Sequence, residues 1–121
     1  MAHVVMDLDG TISYAPEEMA MMASALRAAD HRVTVLTGTS NMPVTEHDFI
    51  AKTDYLRSLG FGESYDDIVI ISNKVDGGLA VAKSIYLRDI GADVYVDNST
   101  ANAEESAQYV PCVLVPWPTR V

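Results

Sequence analysis

Two hydrophobic rhythms alternate along the chain. Short apolar runs recur at 3–6, 33–36, 68–71, 94–96 and 113–115. Runs this short and rich in β-branched residues predict strands. Between them the apolar residues fall at helical spacing. Met19, Met22, Ala23 and Leu26 lie at i, i+3, i+4 and i+7, which makes one helix face. Pro16 suits the first turn of that helix, and Glu17 and Glu18 suit its positive end. Thr45 predicts an N-cap for a helix over about 46–59, with Phe49, Ile50, Leu56 and Leu59 among its apolar positions and Gly60 at its close. A third helix is expected over about 79–90 before Gly91, and a short one near 100–109. Residues 8–15 and 73–78 read as loops, and Pro116-Trp117-Pro118 as the end of regular structure.

Five strands therefore alternate with four helices. That order predicts an α/β fold of three layers, a Rossmann-like, doubly wound parallel sheet of five strands with helices on both faces. The run 68–71 is continuously apolar, as parallel strands buried on both faces are. Length fits one domain over 1–121, and such a chain buries about two-thirds of its unfolded surface.

Ligands of such sheets bind beyond the carboxyl ends of the strands. The residues just after each strand are Asp7 and Asp9, Thr37 and Gly38, Asn73 and Lys74, and Asp97 and Asn98. Acids and hydroxyls at several strand ends form the most informative feature of the sequence. Asp7 and Asp9 are two residues apart, which in extended chain puts both carboxylates on one side. Paired carboxylates repel and so hold a cation or a proton. Asp97 could complete a hard-oxygen site for Mg²⁺.

Charge changes the picture of partners. Eight Lys and Arg stand against 17 Asp and Glu, for a net charge of −9. That acidity argues against a broad nucleic-acid groove or an anionic membrane surface. No apolar run approaches the ~18 residues of a membrane span. The opening seven residues lack the basic stretch of a signal peptide, and the one cysteine, Cys112, cannot form an internal disulfide. A cytoplasmic protein with Cys112 buried and inert is the expectation.

Met6-Asp7-Leu8-Asp9-Gly10-Thr11-Ile12 resembles the first motif of the haloacid dehalogenase (HAD) superfamily of phosphohydrolases. Val33-Thr34-Val35-Leu36-Thr37-Gly38 resembles its second, and Tyr95-Val96-Asp97-Asn98-Ser99 its fourth. The third is a lysine upstream of the fourth: Lys83, with Lys74 as the runner-up. The resemblance implies a HAD-type phosphatase, a Mg²⁺-dependent phosphomonoester hydrolase. Asp7 would be the nucleophile that forms an aspartyl-phosphate, and Asp9 the general acid and base. Thr37, Gly38, Lys74 and Lys83 would bind the phosphate. Asp7, Asp97, Asn98 and the Asp9 carbonyl would hold Mg²⁺. The family's paired acids in the fourth motif are here Asp97 and Asn98, which weakens the metal charge.

Intervals 12–18 and 73–78 are too short for a cap domain. The layout looks like small phage-type HAD proteins and the phosphatase half of polynucleotide kinase-phosphatases. It implies an open site whose substrate is a nucleotide, a nucleic-acid 3′-phosphate or a small phosphate ester, with a homo-oligomer as one way to supply a lid.

Simpler readings stand beside these. Asp-x-Asp-Gly is commonly a solvated turn. Asp7, Asp9, Thr11 and Glu18 also match EF-hand positions 1, 3, 5 and 12, but Ile12 replaces the required glycine and Pro16 interrupts. A phospho-acceptor receiver has this length and alternation, yet no Asp follows the third strand. A non-catalytic binding module on the same scaffold is the remaining alternative. His47, beyond the Thr37 loop, is a further residue within reach of a substrate.

Overall fold

The computed structural model describes residues 1–115. Its elements run β1 (His3–Asp7), α1 (Pro16–Ala28), β2 (Arg32–Thr39), α2 (Glu46–Ser58), β3 (Asp67–Ser72), α3 (Gly78–Ile90), β4 (Val94–Asp97), α4 (Thr100–Ser106) and β5 (Cys112–Leu114). All five strands pair in parallel, in the order β3-β2-β1-β4-β5. The three-layer, Rossmann-like architecture is as expected. The proline-tryptophan-proline stop lies outside the described residues.

Alternation along the strands divides the core in two. Val4, Met6, Val33, Val35 and Val96 pack with Met19 and Ala23 of α1 and Leu56 of α2. Val5, Leu36 and Tyr95 pack on the other face with Leu87 of α3. Each central strand thus feeds both layers, which is why its apolar run is continuous. By the same alternation Asp7 and Asp97 share the α3 face with Val5 and Tyr95, whereas Thr37 shares the α1–α2 face with Val33 and Val35.

Three local expectations are corrected. The run 68–71 is not buried on both faces: β3 is a sheet edge, and Ile68 to Ile71 are only partly covered. β5 is the opposite edge, with Val113 and Leu114 51% and 40% exposed, and Cys112 beside them is half-buried. An apolar run cannot distinguish a central strand from an edge strand. The last helix ends at Ser106, short of 109.

Helix ends follow local chemistry. The Thr45 hydroxyl accepts from Asp48 N at 3.3 Å, and Asp48 Oδ2 accepts from Thr45 N at 2.8 Å, a reciprocal capping box. Asp48 also accepts from the Thr39 hydroxyl at 2.9 Å and Asn41 Nδ2 at 2.6 Å. It therefore ties the end of β2 to the start of α2. These bonds, led by the one from the Thr45 backbone, hold the Asp48 carboxyl down at about 2. No described helix is long and apolar enough to cross a membrane.

Candidate functional site

Strand order reverses between β1 and β4, and ligands of such sheets bind beyond the carboxyl ends of the strands at that point. Asp7 closes β1 and Asp97 closes β4. From α3, Lys83 inserts its ammonium between them. Lys83 Nζ lies 2.7 Å from Asp7 Oδ1 and 3.8 Å from Asp97 Oδ2. It is 1% exposed, Asp7 5% and Asp97 1%. Buried charges of this kind must be paired and hydrogen-bonded, and each is. The Tyr95 hydroxyl donates to Asp97 Oδ2 and receives a bond from Lys83 Nζ at 3.2 Å. Asp97 further accepts from Ser99 N at 2.9 Å and Asn102 Nδ2 at 3.0 Å. Thr11 Oγ1 donates to Asp7 Oδ2 at 3.1 Å.

Burial raises the Asp7 carboxyl to about 6, with Lys83 opposing and Asp97 adding to the rise. Burial also drives the Tyr95 phenol far above its ordinary value, helped by Asp97. Tyr95 is thus a neutral donor at every ordinary pH.

The chain leaves β1 through a wide turn over Leu8–Ile12, closed by Ser13 N to Leu8 O at 3.0 Å. Gly10 sits there at φ +83, and a Cβ on it would lie 2.5 Å from the Asn98 amide. Glycine is required both by conformation and by space. The Asn98 amide faces four oxygens. Turned with its nitrogen toward them, it lies 3.2 Å from Asp9 O and Thr11 Oγ1, and 3.3 Å from Asp7 Oδ2 and Asp97 Oδ1. Turned with its oxygen toward them, it accepts from the Thr11 hydroxyl at 3.2 Å and faces three further oxygens, a set that a cation would bring together. That donor chemistry fits a small hard ion such as Mg²⁺. Among the described residues, however, no group of three or more His, Cys, Asp or Glu side chains gathers to hold a metal.

The remaining sequence candidates lie as follows. The same turn that positions the Asp9 carbonyl takes its side chain away. Asp9 Oδ2 meets Lys52 of α2 at 3.6 Å, and the side chain is 64% exposed. The expectation that Asp7 and Asp9 point together assumed an extended chain and is corrected. Thr37 is buried near the carboxyl end of β2, one residue past the partner of Asp7, and its hydroxyl has no hydrogen-bond partner among the described residues. Ser106, in the last turn of α4, is likewise unpartnered. Gly38 leaves room for Leu79, whose Cδ2 would lie 2.6 Å from a Cβ. Lys74 and His47 are exposed, and the Lys74 backbone N–H donates to Ser72 Oγ at 3.1 Å. Sequence reasoning passed over two participants. Tyr95 reads as an ordinary strand aromatic, and its only signal is lying two residues before Asp97 on the same face. Thr11 stands in the first motif and at an EF-hand position, but neither reading gives it a role of its own.

Comparison with known proteins overturns the family expected from the motifs. No family model and no curated protein matches the chain. Solved structures do. The chain is similar to a protein from the universal stress protein family of Burkholderia pseudomallei, at 16% identity and TM-score 0.60, covering 96% of each chain. It is similar to a universal stress protein in complex with cAMP, at 16% identity and TM-score 0.55, covering 93% of this chain and 96% of that one. It is also similar to the universal stress protein from Archaeoglobus fulgidus in complex with dAMP, at 16% identity and TM-score 0.57, covering 93% and 97%. The HAD-type assignment, with its hydrolase activity and aspartyl-phosphate on Asp7, is therefore corrected. The departure of the Asp9 carboxylate, which that chemistry needs beside Asp7, agrees with the correction. At these identities the likeness is one of fold alone; in this chain that fold is five parallel strands in the order 3-2-1-4-5 between two helical layers.

Proposed function

We propose that the protein binds a nucleoside monophosphate, together with Mg²⁺, in the crevice at the carboxyl ends of β1, β2 and β4. The observation that carries this reading is the Thr37 hydroxyl, buried near the carboxyl end of β2 without a partner among the described residues. An unsatisfied buried hydroxyl costs about 1–3 kcal/mol, and a phosphoryl oxygen in the crevice would relieve it. Two of the similar solved structures are complexes with cAMP and with dAMP, which supports a nucleotide as the phosphate's bearer.

Charge calls for the cation. Asp7, Asp97 and Lys83 together carry one net negative charge when ionised. A phosphate approaching that cluster is repelled unless a divalent ion lies between. The Asp7 and Asp97 carboxylates, the Asp9 carbonyl and the Asn98 amide oxygen would hold Mg²⁺, which neutralises the phosphate. Lys83 keeps the two carboxylates together before the ion arrives. A small intracellular nucleotide agrees with a cytoplasmic setting.

Calorimetric titration with AMP tests the reading. Binding is expected in Mg²⁺ and lost in EDTA. Thr37→Val keeps the shape and removes the hydroxyl, and should weaken binding on the order of ten-fold. No binding by the unmodified protein in Mg²⁺ would sink the proposal.

A further inference from the structure

The amino end of α2 stands at the carboxyl edge of the sheet, because the chain enters it directly from β2. One line along this helix connects the core to the crevice. Leu56 is fully buried in the core. Lys52, one turn earlier, is 23% exposed and meets Asp9 Oδ2 at 3.6 Å. Phe49 is three residues before Lys52 and seven before Leu56, hence on the same face. It is 48% exposed. The ring thus stands one turn nearer the carboxyl edge of the sheet than Lys52, with about half of its surface open. Resting on the nucleotide reading above, we infer that Phe49 is the platform on which the base of the bound nucleotide stacks, one turn beyond the Lys52–Asp9 pair.

The chemistry suits the position. A nucleobase presents a flat π-face, and stacking on an aromatic side chain is tolerant of base identity. The floor of the site is polar and charged, so it recognises phosphate and cation. Phe49 adds the apolar surface that would separate a nucleotide from a plain sugar phosphate.

A purely local role is the competing explanation. Phe49 is the fourth residue of a capped helix, and Val44 precedes the Thr45 cap. Apolar residues at those two positions can pack as a hydrophobic staple. A staple needs an apolar side chain but not a ring, which separates the two roles.

The experiment compares Phe49→Leu and Phe49→Tyr with the unmodified protein, titrating each with AMP and with ribose 5-phosphate in Mg²⁺. Phe49→Leu should weaken AMP about five-fold or more, the worth of one stacked base. It should leave ribose 5-phosphate binding and thermal stability unchanged. Phe49→Tyr, which keeps the ring, should bind AMP as the unmodified protein does. Equal losses for both ligands in Phe49→Leu, or no loss for either, would overturn the stacking role while leaving the nucleotide reading intact. If the unmodified protein binds neither ligand, both proposals fall together.

Discussion

Replacing Lys83 by methionine separates two ways in which a buried carboxylate can respond to losing its cation. Methionine keeps the length and apolar stem of lysine, so the change is chiefly one of charge. In the native protein burial holds the Asp7 carboxyl at about 6, above its ordinary 3.8, with Lys83 restraining the rise. A carboxyl that binds its proton more tightly when folded stabilises the fold at low pH. It loses that stability as pH climbs from 3.8 through 6. At about 1.4 kcal/mol per pH unit, the native protein gives up about 3 kcal/mol by pH 7 and then no more.

Without the ammonium, burial acts unopposed, and burial alone can raise a carboxyl by about 3–5 units. The folded variant then keeps its proton to about pH 8, and its loss continues to grow. Native protein and variant should be about equally stable at pH 5 as far as Asp7 is concerned. The variant should be about 1 kcal/mol worse at pH 7 and about 2 kcal/mol worse at pH 8. Urea unfolding followed by far-UV circular dichroism, in EDTA, measures the gap at each pH. A gap that stays constant from pH 5 to pH 8 would refute the reasoning. It would mean that Asp7 remains ionised, with the pH-independent cost of about 3–5 kcal/mol expected for a stranded buried charge.

Other perturbations probe the same edge. Tyr95→Phe removes the hydroxyl that bridges Lys83 and Asp97, and should cost about 1–3 kcal/mol in urea unfolding; a loss below about 0.5 kcal/mol would argue that the bridge is energetically idle. Gly10→Ala puts a Cβ 2.5 Å from the Asn98 amide at a positive φ. It should displace Asn98, with Mg²⁺ affinity falling on calorimetric titration; unchanged affinity would remove Asn98 from the cation site. Asp48→Asn removes the capping carboxylate held down at about 2. A depressed carboxyl stabilises the fold above the ordinary 3.8 and stops doing so as pH falls through about 2. The Tm deficit of the variant should therefore be large at pH 7 and shrink toward pH 2, and a deficit independent of pH would show that the charge plays no part.

The fold was legible because its rules are local. Pro16, Thr45 and Gly91 punctuate helices at positions the structure keeps, and continuous β-branched runs mark parallel strands. What the pattern could not say is which strand lies at an edge. Ile68–Ile71 and Val4–Met6 look alike, and only the strand order, a non-local property, makes the first an edge and the second a centre. The same limit governs the site. Residues at strand ends were found because topology brings all such ends together. The direction of a side chain two residues farther on was not, because the turn after Asp7 bends Asp9 out toward Lys52. Motif likeness misled about family for a related reason: a strand followed by an acid, a glycine and a hydroxyl is also a solution to ending a parallel strand above a crevice.

The arrangement of charge at this edge argues for a small ligand over a long one. A polyanion needs a track of cations, and its affinity grows with each phosphate neutralised. Here the buried cation, Lys83, is already committed to Asp7 and Asp97, and Lys52 reaches Asp9. Neither is free to form a track, and the surplus of nine negative charges over the chain opposes one. A single phosphate with one divalent ion asks for less: two carboxylates already held together, a carbonyl at the turn and an unpartnered hydroxyl across the sheet end. Those are the features that the crevice offers. Raising ionic strength should therefore weaken AMP binding only slightly, whereas a ligand held by several phosphate contacts would lose affinity steeply with salt. A steep salt dependence of binding would point back to a polyanion and against the site described.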